Sequence, residues 1–210
     1  MEIDNWKLTL SNMLNPYGSR NHKEMKEILM NPEASGPSVH YHMIRGGKDK
    51  KNITVLESGT VGGEYIKTYG HYHIGNLDET YWIAEGEGIV ILQKRKLDES
   101  GKLIDDEIES FKAIAVKKGD SVFIPSGTGH LLVNTGKSWL VTIDDSPVNF
   151  DEVDPVSLPG HADYEPVRKM RGFAYYVVEE NGKPKLNKNL KYKNSPEARI
   201  EEYNPRKPKI

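Results

Sequence analysis

The sequence predicts an all-β protein with the fold of a double-stranded β-helix, or jelly-roll barrel, preceded by a partly helical N-terminal arm. Between residues 39 and 143, short segments rich in Val, Ile, Thr and Tyr alternate with turns that contain glycine. Many strand-length segments separated by regular turns are typical of antiparallel sandwiches and barrels. The 210 residues suffice for one domain with a buried core.

Residues 1–36 are predicted to form the N-terminal arm. Its segment NHKEMKEILM has apolar residues at helical spacing, and Asn21 can cap this helix together with Glu24 three residues later. Pro32 and Pro37 then break the chain.

The barrel is predicted to span residues 37–192. The polar segment KLDESGKLIDDEIES is expected to form a hairpin excursion, and residues 144–166, rich in Pro, Asp and Gly, a loop that crosses the barrel. The segment FAYYVVEENGKPKL adds one more strand and turn, and the polar residues 193–210 are expected to form a loosely held C-terminal tail. The main strands are predicted within the segments NITVLESG, EYIKTYG, TYWIAEGEG, IVILQKR, AIAVKKGD, SVFIPSG, HLLVNTG and SWLVTID.

Composition and charge exclude several classes of protein. The formal net charge of -2 at pH 7 gives no support for nucleic acid or an anionic membrane as a partner. No apolar run approaches the roughly 20 residues of a membrane helix, and the N-terminus lacks the apolar core of a secretory signal. The absence of cysteine excludes disulfides, thiolate metal sites and a cysteine nucleophile. We therefore expect a cytoplasmic protein that binds neither nucleic acid nor membranes.

The segment GHYHIGNLDETY brings two histidines close to a glutamate. If residues 66–73 form a strand, His71 and His73 point to the same face, because side chains alternate along a strand. The loop that follows lets the chain turn back, so that Glu79 can reach the same point. Two imidazoles and a carboxylate suit a divalent first-row metal and leave positions open for substrate or water. A His-x-His pair alone is a weak signal, and histidines without a metal are the alternative.

The segment KKGDSVFIPSGTGHLLVNTG adds a third histidine, His130, after a Pro-x-Gly turn that can aim it into the barrel. The spacing from Gly119 to Asn134, taken with the first segment, resembles the two sequence motifs of the cupin superfamily. Cupins have the double-stranded β-helix fold. The resemblance implies one divalent metal ion, with Fe(II) as the first choice and Mn(II), Ni(II) or Zn(II) as alternatives. The ligands implied in the same way are His71, His73, Glu79 and His130.

Finer similarity points to one family of cupins. Seven short segments resemble the cupin-type (archaeal-type) glucose-6-phosphate isomerases. They are TYGHYH, DETY, AEGEG, ILQ, TVLESGTVGGEYIKT, PGHADY and VVEENGKPKLNKN. This resemblance covers about residues 39–192. The substrate contacts that it implies are Thr54, Thr68, Gly70, Tyr81 and Tyr164. The catalytic residues that it implies are Glu79, His130 and Tyr81.

The resemblance implies a metal-dependent aldose–ketose isomerase that interconverts glucose 6-phosphate and fructose 6-phosphate, a step of glycolysis and gluconeogenesis. The metal would stabilise the charge of an enediolate, and Glu79 would act both as a ligand and as the proton-transfer base. A metal-assisted hydride shift is the alternative mechanism. Three other functions stay open: an isomerase of another sugar phosphate, an Fe(II) dioxygenase and a non-catalytic sugar-binding cupin. A small-molecule sugar phosphate is the expected partner, and a homodimer the expected assembly.

Charged residues near the predicted barrel mouth allow more than one interpretation. Where the family has a tyrosine after the metal histidine, this chain has Asp144 and Asp145, which implies either a changed substrate or a carboxylate turned outward. Lys67 and Arg95 are considered as charge partners of the substrate, but we favour their interpretation as solvated strand residues. His161 belongs to the crossing loop and could lie over the pocket.

Overall fold

The computed structural model describes residues 18–45, 51–147 and 162–205. Strands dominate it, which confirms the predicted all-β class. Its strands are β1 Gly18–Asn21, β2 Val39–Ile44, β3 Asn52–Leu56, β4 Thr60–Val61, β5 Glu64–Tyr65, β6 Tyr72–His73, β7 Glu79–Glu85, β8 Glu87–Leu97, β9 Leu103–Lys117, β10 Ser121–Ile124, β11 Thr128–Asn134, β12 Leu140–Asp144, β13 Ala162–Asp163, β14 Tyr175–Glu180, β15 Lys183–Lys188 and β16 Ile200–Glu202.

Two larger sheets supply the core of the barrel. One has six strands in the order β1-β2-β3-β12-β7-β10, and the other has four in the order β11-β8-β9-β16. Neighbouring strands in both sheets are antiparallel, except that β16 runs parallel to β9. Buried side chains from both sheets, among them Leu56, Ile91 and Leu140, belong to one apolar cluster. The remaining strands form the sheets β13-β6 and β15-β14-β5-β4.

Two predicted hairpins are present. The polar excursion is the turn between β8 and β9, where Asp98 N donates to Lys102 O at 2.8 Å. The strands β14 and β15 are joined by Asn181 and Gly182, whose φ angles are 54° and 73°. An Asn-Gly pair suits such a turn because both residues tolerate positive φ.

The segment 66–73 differs from the predicted continuous strand. Only Tyr72–His73 forms a strand, β6, while the residues before it run beside β11 through two isolated bridges, Lys67 to Val133 and His71 to His130. The interruption lies at Gly70, whose φ of 77° is in the left-handed region that favours glycine. Regular alternation along one strand is therefore not what brings the two histidines of this segment together.

The N-terminal arm is part of the barrel wall where the structure describes it. Strand β1 pairs with β2, and a one-turn helix, α1 His22–Met25, follows and passes into a 3₁₀ turn, Lys26–Ile28. The predicted capping box is present, since Asn21 Oδ1 accepts from Glu24 N at 3.0 Å and Glu24 Oε2 accepts from Asn21 N at 2.8 Å. The apolar residues of this segment join the core: Met25, Ile28 and Leu29.

The C-terminal region contains two elements that the sequence did not predict. A short helix, α2 Glu165–Met170, begins in the last two residues of the predicted loop and continues beyond it, and β16 lies in the expected tail. The division into arm, barrel and tail at residues 36 and 192 stays a prediction. The central part of the crossing loop, with His161, lies outside the described residues. Within the described ranges there is no helix with the length and apolar character needed to cross a membrane.

Candidate metal centre

Three histidines converge inside the barrel. His71 and His73 come from the segment that ends in β6, and His130 comes from β11, to which His71 is joined by a backbone bridge. Each histidine offers one ring nitrogen, and these atoms lie within 4.8 Å of one another. The ring centroid of His130 lies 4.4 Å from that of His71 and 4.8 Å from that of His73.

A buried carboxylate adjoins two of these rings. Glu79 begins β7, and its Oε2 lies 3.1 Å from His130 Nε2 and 3.3 Å from His73 Nε2. Among the residues that the structure describes, none gives Glu79 Oε2 or His130 Nε2 a well-directed hydrogen bond. Buried polar atoms without such a partner cost free energy unless something else satisfies them. A cation bound between these atoms would do so.

Backbone carbonyls fix which ring nitrogen faces this cluster. His73 Nδ1 lies 3.1 Å from Leu77 O, and His130 Nδ1 lies 3.4 Å from Thr128 O. A carbonyl oxygen only accepts, so Nδ1 carries the proton in each neutral ring and Nε2 keeps its lone pair. Metal-binding histidines are commonly oriented in this way.

The electrostatics of the cluster favour an ionised carboxylate. Burial alone would raise the pKa of Glu79, but the adjacent His130 and His73 outweigh it and hold that pKa well below its usual value. For His73, burial lowers the pKa, but the contact with Glu79 outweighs it and the net pKa is raised. One ionised carboxylate and three imidazoles form a donor set that fits a divalent first-row metal.

Two predicted substrate-contact tyrosines lie beside the histidines. The Tyr81 ring centroid is 5.5 Å from that of His130, and the Tyr164 ring centroid is 5.4 Å from that of His71. Burial raises the pKa of Tyr81 well above its usual value, so its hydroxyl stays protonated and can donate a hydrogen bond.

The other predicted substrate contacts lie along the walls. Thr54 is buried on β3, and its Oγ1 accepts from Arg45 Nη1 at 3.5 Å. Thr68 Oγ1 accepts a hydrogen bond from Leu132 N at 3.0 Å, so one of its lone pairs is already used within the barrel wall. At Gly70 a Cβ would approach Leu131 Cβ to 3.0 Å, which shows how closely the backbone packs there.

The two consecutive aspartates have different environments. Asp144 points inward, where its Oδ1 accepts from Asn52 Nδ2 and from Ser146 Oγ, both at 2.7 Å. Burial raises the pKa of Asp144, and the charge of Glu79 adds to this effect. Asp145 instead accepts from Thr80 N at 2.8 Å and is partly exposed. The carboxylate turned away from the interior is therefore that of Asp145.

The interpretation of Lys67 and Arg95 as solvated residues is wrong. Lys67 is 3% exposed and pairs with buried Glu64 at 2.5 Å, and Arg95 is 8% exposed and pairs with Asp105 at 2.7 Å. Neither pair includes a residue of the histidine cluster. Two cations that the sequence analysis did not single out, Arg20 and Arg45, lie on the inner face of the six-stranded sheet. Their positions depend on long-range strand pairing, for which the local sequence carries no signal.

Comparison with known proteins identifies similar chains. The family model of glucose-6-phosphate isomerase (GPI) matches residues 40–195. A glucose-6-phosphate isomerase of Thermococcus litoralis is 32% identical over 184 residues, which cover 81% of this chain and 84% of that protein. One of Pyrococcus furiosus is 33% identical over 142 residues, which cover 67% of this chain and 62% of that protein. The match to a Thermococcus onnurineus relative likewise covers 62% of that protein's length.

Similarity to solved structures is more distant. A predicted oxalate decarboxylase of Thermotoga maritima shares 21% identity with a TM-score of 0.33, over 50% of this chain and 76% of that chain. An oxalate oxidase in complex with the substrate analogue glycolate shares 19% identity with a TM-score of 0.33, over 50% of this chain and 40% of that chain. The sequence matches are the stronger of the two kinds of comparison.

Proposed function

Because the chain belongs to the glucose-6-phosphate isomerase (GPI) family, we propose that it is a metal-dependent isomerase of glucose 6-phosphate and fructose 6-phosphate. The observation that carries this proposal is the convergence of three imidazoles and one ionised carboxylate inside the barrel. All four side chains lie within the region that the family model matches. The relatives named glucose-6-phosphate isomerase support the proposed activity.

The proposed metal ligands are His71, His73, Glu79 and His130. A divalent ion held there would polarise the two oxygens between which the carbonyl moves. We propose Fe(II), and the same donors accept Mn(II), Ni(II) or Zn(II). The carbonyl contacts of His73 and His130 support this assignment, because they leave Nε2 of both rings as the lone-pair donor.

The proposed catalytic residues are Glu79, His130 and Tyr81. Glu79 would move the proton between C1 and C2, as a carboxylate placed at the reacting carbons can, while a second proton passes between the oxygens on these two carbons. His130 Nε2 lies 3.1 Å from Glu79 Oε2, and a metal ion bound to both atoms would hold that carboxylate in place. Tyr81, two residues along the same strand, would donate its hydroxyl hydrogen to a sugar oxygen.

The proposed substrate contacts hold the sugar phosphate over this centre. They are the side chains of Thr54, Thr68, Tyr81 and Tyr164 and the backbone N–H of Gly70. Fixing the substrate in this way is itself a source of catalysis, because C1 and C2 are then held in a reactive position. The homodimer and the cytoplasmic location stay predictions.

The proposed function is tested by a coupled assay of fructose 6-phosphate conversion to glucose 6-phosphate. Each candidate metal is added in turn to protein that a chelator has stripped. Conversion by at least one metal-loaded form is the expected result. If no metal supports conversion, the isomerase assignment is wrong, whereas the fold is unaffected.

A further inference from the structure

Two arginines lie on the inner face of the six-stranded sheet. Arg20 on β1 pairs with Tyr41 on β2, and Tyr41 pairs with buried Leu56 on β3. Directly paired residues share a face of a sheet, so Arg20 faces the barrel interior. Arg45 follows β2, and its contact with Thr54 Oγ1 places it on the same side. Each arginine side chain is 19% exposed, so both are largely enclosed.

Each arginine is close to a residue beside the metal centre. Arg20 Cζ lies 5.5 Å from the Tyr164 ring centroid, and the Tyr164 ring in turn contacts His71. Arg45 Nη1 lies 3.9 Å from Asp144 Oδ2, and Asp144 pairs across the strands with Tyr81. Arg20 is thus separated from His71 by the Tyr164 ring, and Arg45 contacts the carboxylate that is paired across the strands with Tyr81.

The contacts of these two arginines leave N–H donors available for an anion. Arg20 Nη1 donates to Glu24 Oε1 at 3.1 Å, whereas its buried Nε has no hydrogen-bond partner among the described residues. Within the described part of the chain, the polar contacts of Arg45 are long: 3.4 Å to Ile44 O, 3.5 Å to Thr54 Oγ1 and 3.9 Å to Asp144 Oδ2. Lys67 and Arg95 pair with Glu64 and Asp105, which lie outside the histidine cluster. A five-donor planar guanidinium suits the oxygens of a phosphate better than an ammonium does.

We propose that Arg20 and Arg45 bind the phosphate group of the sugar phosphate and so select phosphorylated over unphosphorylated sugars. This inference rests on the proposed function. In an open-chain hexose 6-phosphate, the phosphate lies at the opposite end from C1 and C2. With C1 and C2 at the metal, the phosphate would reach cations that are separated from the metal ligands by one intervening side chain. Arg45 also compensates Asp144, the acid that replaces a family tyrosine and would otherwise repel the phosphate.

The test compares Arg20→Gln, Arg45→Gln and the corresponding Lys variants with wild-type protein in the metal-loaded form. Lys94→Gln, on an exposed face of β8, is the matched control. The KM for fructose 6-phosphate and the inhibition constant of inorganic phosphate are expected to rise about 10-fold to 100-fold in each Gln variant. Binding of unphosphorylated fructose is expected to stay at the wild-type value, and the Lys variants should recover part of the loss.

Direct binding separates this inference from the proposed function. Dissociation constants of fructose 6-phosphate and of inorganic phosphate are measured by calorimetry on the same proteins, after unfolding curves have shown that they are folded. If wild-type protein binds fructose 6-phosphate but does not convert it, the isomerase proposal fails. The dissociation constants of the variants still test whether the two arginines bind phosphate. Unchanged phosphate affinity in both Gln variants, or an equal loss of fructose binding, would overturn the inference.

Discussion

Replacing Glu79 by Gln is expected to lower kcat by about 10²-fold to 10⁴-fold, the range found when a positioned general base is lost. Gln keeps the size and shape of the side chain but cannot ionise. The variant loses the negative charge that lies 3.1 Å from His130 and 3.3 Å from His73. Steady-state kinetics, with the bound metal measured on the same samples, gives the comparison with wild type.

The matched control for this change is Glu85→Gln at the other end of strand β7. Glu85 is exposed and pairs with Lys118 at the surface, so its loss should leave kcat within about 2-fold of wild type. Solvent deuterium incorporation into the product adds a test of the mechanism. A Glu79→Gln variant that retains both metal and wild-type kcat would show that this carboxylate is neither base nor required ligand.

Replacing Lys67 by Ala is expected to lower the free energy of unfolding by about 3–5 kcal/mol, the usual cost of leaving one partner of a buried ion pair uncompensated. Lys67 Nζ lies 2.5 Å from Glu64 Oε1 and donates to Ile28 O at 2.7 Å. Glu64 also accepts from Met30 N at 2.7 Å. The pair thus joins the barrel to residues 28–30 of the arm, and its loss should loosen that attachment. Denaturant unfolding measures the change.

Two further variants make the Lys67 result interpretable. Lys94→Ala removes a surface lysine that pairs with exposed Glu109, and it should cost less than about 1 kcal/mol. Lys67→Met combined with Glu64→Gln removes both buried charges and should recover much of the loss. If Lys67→Ala unfolds at the same denaturant concentration as Lys94→Ala, the buried pair does not stabilise the arm.

Local patterns predicted the strands, and they predicted that two histidines, a glutamate and a third histidine would lie together. Segments rich in Val, Ile, Thr and Tyr, bounded by glycine turns, predicted the barrel strands, because each of these signals depends on a few neighbouring residues. The motif around His130 was informative for the same reason, because one short segment contains both the turn and the beginning of the strand. The capping box at Asn21 is also a local signal, and it is present.

Features that depend on distant pairing were not predictable. The sequence near Arg20 does not show that Gly18–Asn21 pairs with β2, so the inward position of this arginine was missed. Lys67 was expected at the surface because its buried partners, Glu64 and the arm, come together only in the fold. The helix Glu165–Met170 was not predicted because it begins at the end of a segment rich in turn residues and has Pro166 in its first turn, where a helix tolerates proline.

The central claim is that a single divalent ion at His71, His73, Glu79 and His130 makes the protein an isomerase. Its most direct test is an anaerobic titration of metal-free protein with Fe(II), with bound metal and conversion of fructose 6-phosphate measured at each step. Conversion should rise with bound metal, level off at one ion per chain and disappear when a chelator is added. Full conversion by the metal-free protein, or none when one ion is bound, would contradict the claim.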